Sequence, residues 1–298
     1  MPGIVHEQVE ANGIKLHVAR GGEGPLILFL HGFPDYWGCW RSQLEYFAAK
    51  GFTAVAPDLR GFNLSDKPEA VEQYRAKHLM GDVAALAARY GGGRKFTLVA
   101  HDWGGAVAWG YAIARPETLR GLVICNSPHP YTFWRELCHN PAQQQASDYF
   151  HLFRQPGKAE HVLAKDGYAR LWGMVSNDWG GGMAVAERAG FIEAMSQPGA
   201  LTGGLNYYRA TPMVPPKDGE PGASGLQLQA KDFIVRVPTL VIWGERDRAL
   251  LSSLLDGLDE LVPDLKVVRV PDAGHWVMRQ LPDLVNSEIA AFLGTPSD

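Results

Sequence analysis

Val99-Ala100-His101-Asp102-Trp103-Gly104-Gly105 is the stretch on which the fold turns. The apolar run Phe96 to Ala100 leads through it directly into a helical pattern, with alanine two positions before the aspartate and glycine two positions after it. Small residues there let the backbones of strand and helix approach closely around a strained turn, the arrangement of a nucleophile elbow. Where the familiar elbow holds serine, this one holds Asp102. A carboxylate is already anionic at neutral pH and attacks tetrahedral carbon bearing a leaving group, giving an alkyl ester, so the substrate needs no carbonyl. The plainer alternative is a helix N-cap, which aspartate also favours, but a cap does not require small residues on both sides.

Working outward, the same alternation repeats. Val5 to Val18 reads as short strands turning at Asn12-Gly13, and Leu26 to Leu30 is continuously apolar, as a strand buried on both faces should be. Trp40 to Lys50 has helical spacing closed by Gly51, followed by the strand Thr53 to Ala56. Helices are expected over Lys77 to Tyr90 and Gly104 to Ala114, with a strand over Leu122 to Cys125. From about Tyr131 the pattern becomes helical pieces separated by Gly and Pro, leaving through the Pro- and Gly-rich loop Pro212 to Gly225. Strand Pro238 to Trp243, helix Leu250 to Leu261, strand Leu265 to Val270 and helix Leu281 to Leu293 complete the chain. Strand–helix repetition implies a mostly parallel sheet flanked by helices, the α/β class. The expected division is a core over 1–130, an inserted helical lid (cap) over 131–228, and the rest of the core over 229–298.

A histidine base is expected on a loop at the carboxyl edge of such a sheet, and Pro271-Asp-Ala-Gly-His275-Trp276 follows the last strand. Imidazole, with an unperturbed pKa near about 6.5, can take a proton from water at neutral pH if a carboxylate holds its other nitrogen. Asp247, in Trp243-Gly-Glu-Arg-Asp247 just past a strand end, is the best partner, with Glu245 and Asp272 as rivals. The position after the preceding strand offers only Asn126 and Ser127, neither of which can be the acid. The order nucleophile, acid, histidine is that of the α/β-hydrolases. His31-Gly32-Phe33-Pro34 follows a buried strand where this fold supplies an oxyanion-hole N–H. The donors expected are the backbone N–H groups of Phe33 and Trp103, each worth about 3 kcal/mol. His31, Gly32, Pro34 and His101 read as support for these turns.

His31-Gly-Phe-Pro-Asp-Tyr-Trp-Gly-Cys-Trp-Arg41, Asp58-Leu-Arg-Gly-Phe-Asn-Leu-Ser-Asp-Lys-Pro68, His101-Asp-Trp-Gly-Gly105 and Gly274-His-Trp276 together resemble the soluble epoxide hydrolases of the α/β-hydrolase fold. The resemblance covers nearly the whole chain. The core motifs are shared in part with haloalkane dehalogenases, so the lid must decide between them. Ser147-Asp-Tyr-Phe-His-Leu-Phe-Arg-Gln-Pro-Gly-Lys-Ala-Glu160 and Leu205-Asn-Tyr-Tyr-Arg209 are similar to the two segments in which epoxide hydrolases carry ring-opening tyrosines. The resemblance therefore implies that Tyr149 and Tyr208 donate to the epoxide oxygen, with Tyr207 in the pocket wall or core. Without it, Tyr149 and Tyr208 would more often read as lid packing, and the adjacent Tyr207 would be an equal candidate. Phe62-Asn63-Leu64 departs from the small and polar residues usual before Ser-Asp.

The implied reaction is hydrolysis of a small apolar epoxide by water to a vicinal diol through an ester on Asp102. The alternatives are haloalkane or haloacid dehalogenation, in which Trp103 and a lid tryptophan (Trp134, Trp172 or Trp179) would hold the halide, and a non-catalytic binding protein of the same fold. No metal or organic cofactor is required. A net charge of −4 gives no basic surface for nucleic acid, three cysteines make no disulfide framework, and no window reaches membrane-span length. The opening Met1-Pro-Gly-Ile-Val-His-Glu7 lacks the apolar stretch of a signal peptide, so a cytoplasmic location is expected. Oligomeric state leaves no mark on the sequence.

Overall fold

The computed structural model describes residues 3–178 and 184–294. Its eight strands are β1 (Val5–Ala11), β2 (Ile14–Gly21), β3 (Leu26–Leu30), β4 (Thr53–Pro57), β5 (Phe96–His101), β6 (Leu119–Cys125), β7 (Thr239–Gly244) and β8 (Leu265–Val270). They form one sheet in the order β1-β2-β4-β3-β5-β6-β7-β8. The β1–β2 hairpin and the β2–β4 pair are antiparallel, and every later pairing is parallel. Strands β3, β5 and β7 are buried along their whole length, which is why they read as unbroken apolar runs.

Around the sheet pack α1 (Arg41–Ala49), α2 (Ala76–Gly91), α3 (Asp102–Ala114) and, after β8, α11 (Val277–Gln280) and α12 (Pro282–Leu293). Between β6 and β7 lies a helical insertion: α4 (Pro130–His139), α5 (Pro141–Ala146), α6 (Tyr149–Phe153), α7 (Lys158–Gly173), α8 (Arg188–Ser196) and α9 (Ala200–Ala210). Helix α7 is broken at Lys165–Tyr168, where Asp166, Gly167 and Tyr168 take left-handed backbone angles. The helix expected over Leu250 to Leu261 is instead a 3-10 turn at Ser252–Leu255 and a short α10 (Leu258–Leu261). Gly257, at φ +70°, separates them; a glycine in that conformation cannot carry a helix through.

Register brings the carboxyl ends of the central strands level: Leu30 pairs with Ala100, His101 with Cys125 and Cys125 with Ile242. The loops after β3, β5, β6, β7 and β8 therefore open on one edge of the sheet, beneath the insertion. Cys39 and Cys125 are buried, Cys138 is half-buried, and all three are free thiols. Among the described residues no helix is long and apolar enough to cross a membrane.

Candidate active site

Asp102 stands where β5 becomes α3, at φ +50°, a left-handed angle that a residue with a Cβ adopts only when its surroundings impose it. The neighbours supply that constraint. A Cβ on Gly104 would lie 2.4 Å from His31 O and 2.5 Å from Leu30 O, so α3 and β3 can meet only with glycine there. Ser127 Oγ donates to Asp102 O at 2.7 Å from the loop after β6. The Asp102 carboxylate accepts from Phe33 N–H at 2.7 Å through Oδ1. That bond crosses to the loop after β3, which is not the behaviour of a simple cap. Gly32 makes it possible, since a Cβ there would sit 2.1 Å from Asp102 Oδ1. The Phe33–Pro34 peptide is cis, and Asp35 N–H closes the turn onto Gly32 O at 3.1 Å.

The other carboxylate oxygen, Oδ2, is 3.7 Å from His275 Nε2. On its far side His275 Nδ1 is 2.6 Å from Asp247 Oδ2. Asp247 accepts two bonds at each oxygen: Oδ1 from Ala249 N–H and Leu250 N–H, and Oδ2 from His275 and from Asn126 Nδ2 at 2.9 Å. The rivals lie elsewhere, Glu245 paired with Arg269 and Asp272 with Arg246 at the exposed surface. Burial opposes a charge on His275, but the Asp247 and Asp102 carboxylates outweigh it and push the imidazole up to about 10. Burial likewise opposes a charge on Asp102, yet the bonds and positive charge of His275 hold its carboxyl below the usual range.

The two expected supporting histidines brace these turns. His31 Nδ1 donates to Gly32 O at 2.9 Å, and its Nε2 accepts from Leu59 N–H at 3.0 Å, an assignment that fixes one neutral tautomer. His101 Nε2 donates to His275 O at 2.9 Å, and its ring centroid is 4.5 Å from that of His275. Burial first, and the neighbouring His275 second, bring His101 down to about 3, so it stays neutral beside its charged neighbour.

From above, the insertion brings two phenols toward Asp102. Tyr149, on α6, and Tyr208, on α9, pack against each other edge-on, with ring centroids 5.9 Å apart. Tyr208 is wedged edge-on against Phe33, Trp103 and Phe153. Burial raises both phenols well above 10, reinforced for each by the Asp102 charge, so both are protonated donors. Tyr207 points away: its hydroxyl donates to Arg60 O at 3.0 Å. Asp102, Trp103, Tyr149 and an edge of Tyr207 line a largely apolar cavity of about 790 Å³. Of the tryptophans considered as halide donors, Trp134 donates to Ala223 O and Trp172 packs on Phe191, neither lining that cavity, while Trp179 lies outside the described residues.

Residues 25–279 match the family described as alpha/beta hydrolase fold. Epoxide hydrolase 3 of Xenopus tropicalis is 34% identical over 96% of this chain and 76% of its own length. A crystal structure of a single-residue mutant of an epoxide hydrolase from Bacillus megaterium superposes with a TM-score of 0.86 at 32% identity, covering 96% of this chain and 99% of that one. This chain belongs to the epoxide hydrolase family of the α/β-hydrolase fold. The AB hydrolase superfamily protein YfhM of Bacillus subtilis is 36% identical over 98% of this chain and 99% of its own length.

Two residues of this epoxide hydrolase family member matter more than the sequence suggested. Asn126, at φ +38°, accepts from Gly244 N–H at 2.8 Å and donates to Gly244 O and to Asp247, so it fixes the carboxylate that holds His275. Arg154, at the end of α6, donates to the carbonyls of Tyr208 (2.5 Å) and Thr211 (2.9 Å), tying together the two tyrosine-bearing helices. Asparagine's tolerance of left-handed angles was the available signal for the first. Nothing local marks the second.

Proposed function

We propose that the protein hydrolyses an epoxide to a vicinal diol in two steps, with Asp102 as nucleophile and the helical insertion as a lid. The observation that carries this reading is the Tyr149–Tyr208 pair, ring centroids 5.9 Å apart, in which Tyr149 lines the same apolar cavity as Asp102 and Tyr208 packs on Phe33 and Trp103 beside it. A halide leaving group needs no acid, whereas an opening epoxide leaves an alkoxide that two phenols can bind and one can protonate.

In the first step Asp102 Oδ2 bonds to a ring carbon, the carbon–oxygen bond breaks, and its electron pair stays on the ring oxygen, which takes a phenolic proton. Esterification removes one of the two negative charges that support the imidazolium of His275, and the new phenolate draws a proton back. Both changes leave His275 neutral and able to act as a base. In the second step it takes a proton from water, whose oxygen attacks the Asp102 carboxyl carbon. The backbone N–H groups of Phe33 and Trp103 are assigned to the oxyanion that forms. Collapse expels the diol oxygen, which His275 protonates, and the remaining carboxyl proton returns to His275.

The test is a panel of epoxides assayed for diol, with a single turnover in heavy-oxygen water. Label should enter Asp102 before it reaches product; label found only in the diol sinks the covalent route. Tyr149→Phe and Tyr208→Phe should each slow ester formation about 100-fold. Unchanged rates in both would remove the tyrosines from the mechanism.

A further inference from the structure

The middle of α3 holds a glycine without a packing reason. Gly110 has an ordinary helical φ, and a Cβ built on it meets only Met80 Sδ, at 3.4 Å, an ordinary contact. That sets it apart from Gly104 and Gly105 on the same helix, where a Cβ would strike the backbone of β3 or the Ser127 side chain. Glycine is the least favourable residue for a helix interior apart from proline, so α3 gives up stability here for something other than close approach of a neighbour.

What lies over Gly110 is the cavity that holds Asp102. It follows one face of α3 through Ala106, Val107, Gly110 and Ile113, the spacing of a helical stripe. At about 1.5 Å rise per residue, Ile113 stands about 16 Å along the helix from Asp102. The end of α9 and the loop beyond it, Ala210 to Met213, line the same cavity.

We propose that this stripe is a binding arm for a long apolar substituent of the substrate, and that Gly110 determines how long an arm is accepted. The inference rests on the epoxide-hydrolysis reading for its chemistry, but the arm itself can be tested by binding alone. An extended alkyl chain with its reactive carbons at Asp102 would lie over Gly110, where any larger side chain would occupy its path. Short epoxides would never reach that point.

The experiment compares 1,2-epoxybutane with 1,2-epoxydodecane, and 1,2-butanediol with 1,2-dodecanediol as ligands that need no turnover. Gly110→Leu should lower kcat/KM for the long epoxide and weaken binding of the long diol, by about 60-fold if three methylenes lose their contacts at about fourfold each. The short compounds should stay within about twofold. Ile113→Trp, further from Asp102, should penalise the twelve-carbon compounds while sparing an eight-carbon pair. Gly110→Ala should fold with an unchanged or higher Tm, showing that the helix tolerates a side chain there. Long-diol binding unaffected by Gly110→Leu, or long and short compounds weakened alike, would overturn the arm. Failure of every epoxide to yield diol, with length-selective diol binding still lost in Gly110→Leu, would refute the chemistry and support the arm.

Discussion

Replacing Asp247 by Asn tests the hydrolytic half of the mechanism more sharply than removing the side chain, because the shape is kept and only the acceptor pattern changes. The aspartate receives four donors, two on each oxygen: Ala249 and Leu250 N–H on Oδ1, Asn126 and His275 on Oδ2. An amide has one oxygen, so in either orientation its NH₂ faces two donors. With the NH₂ toward the backbone pair, two buried N–H groups lose their acceptor, at about 1–3 kcal/mol each. With it toward His275, Nδ1 must become the acceptor and the remaining proton moves to Nε2, the nitrogen required to take a proton from water. A histidine locked in that tautomer is no base, and the comparable substitution in a serine hydrolase triad costs about 10⁴ in kcat. That is about 5.4 kcal/mol at about 1.36 kcal/mol per tenfold. We expect ester hydrolysis to slow by about 10³–10⁴ while ester formation, which needs Asp102 and the phenols, changes by less than about tenfold. Rapid-quench mass spectrometry of the intact protein should then show a stable adduct of the substrate's mass. Equal slowing of both steps, or turnover without adduct, would show that Asp247 does not act through His275.

Three other outcomes follow from the geometry. Gly32→Ala places a methyl 2.1 Å from Asp102 Oδ1, so kcat/KM should fall at least about 100-fold; activity near the parental level would mean the Phe33 bond is dispensable. Arg154→Met removes the tie between α6 and α9, and should slow ester formation about tenfold without touching ester hydrolysis in single-turnover assays; equal effects on both would make Arg154 merely structural. Because the folded-state pKa of His275 is raised to about 10 from an unfolded value of about 6.5, its stabilising contribution is complete below about pH 6.5. It is lost as the pH rises toward 10, so the Tm advantage of the parent over His275→Gln should shrink between pH 7 and 10. A constant difference would exclude an imidazolium in the resting enzyme.

Much of the architecture was legible because parallel strands buried on both faces leave unbroken apolar runs, as in Leu26–Leu30 and Thr239–Gly244. The elbow was legible for a steric reason: the glycine beyond Asp102 is required by two carbonyl oxygens of β3 and the residue after it. Helix continuity was harder to read. Leu250 to Leu261 has helical spacing, but Gly257 takes a left-handed angle and ends the pattern. The choice of Asp247 over Glu245 and Asp272 came from its place one loop turn past a strand end, and the structure puts it against His275 while the other two carry arginines. Contacts such as Arg154 with the end of α9 join residues more than fifty positions apart, and no local pattern records them.

Asp102, His275 and Asp247 all stand just past the carboxyl ends of the sheet's strands, whereas Tyr149 and Tyr208 arrive on a separate stretch of chain spliced between β6 and β7. On the proposed mechanism this divides the chemistry between two stretches of chain: the insertion supplies the proton to the departing oxygen, and the core attacks the carbon and clears the ester. A change of leaving group then requires new sequence in one segment alone. Descendants of such a chain can exchange one electrophile for another while inheriting, untouched, the apparatus that releases the product.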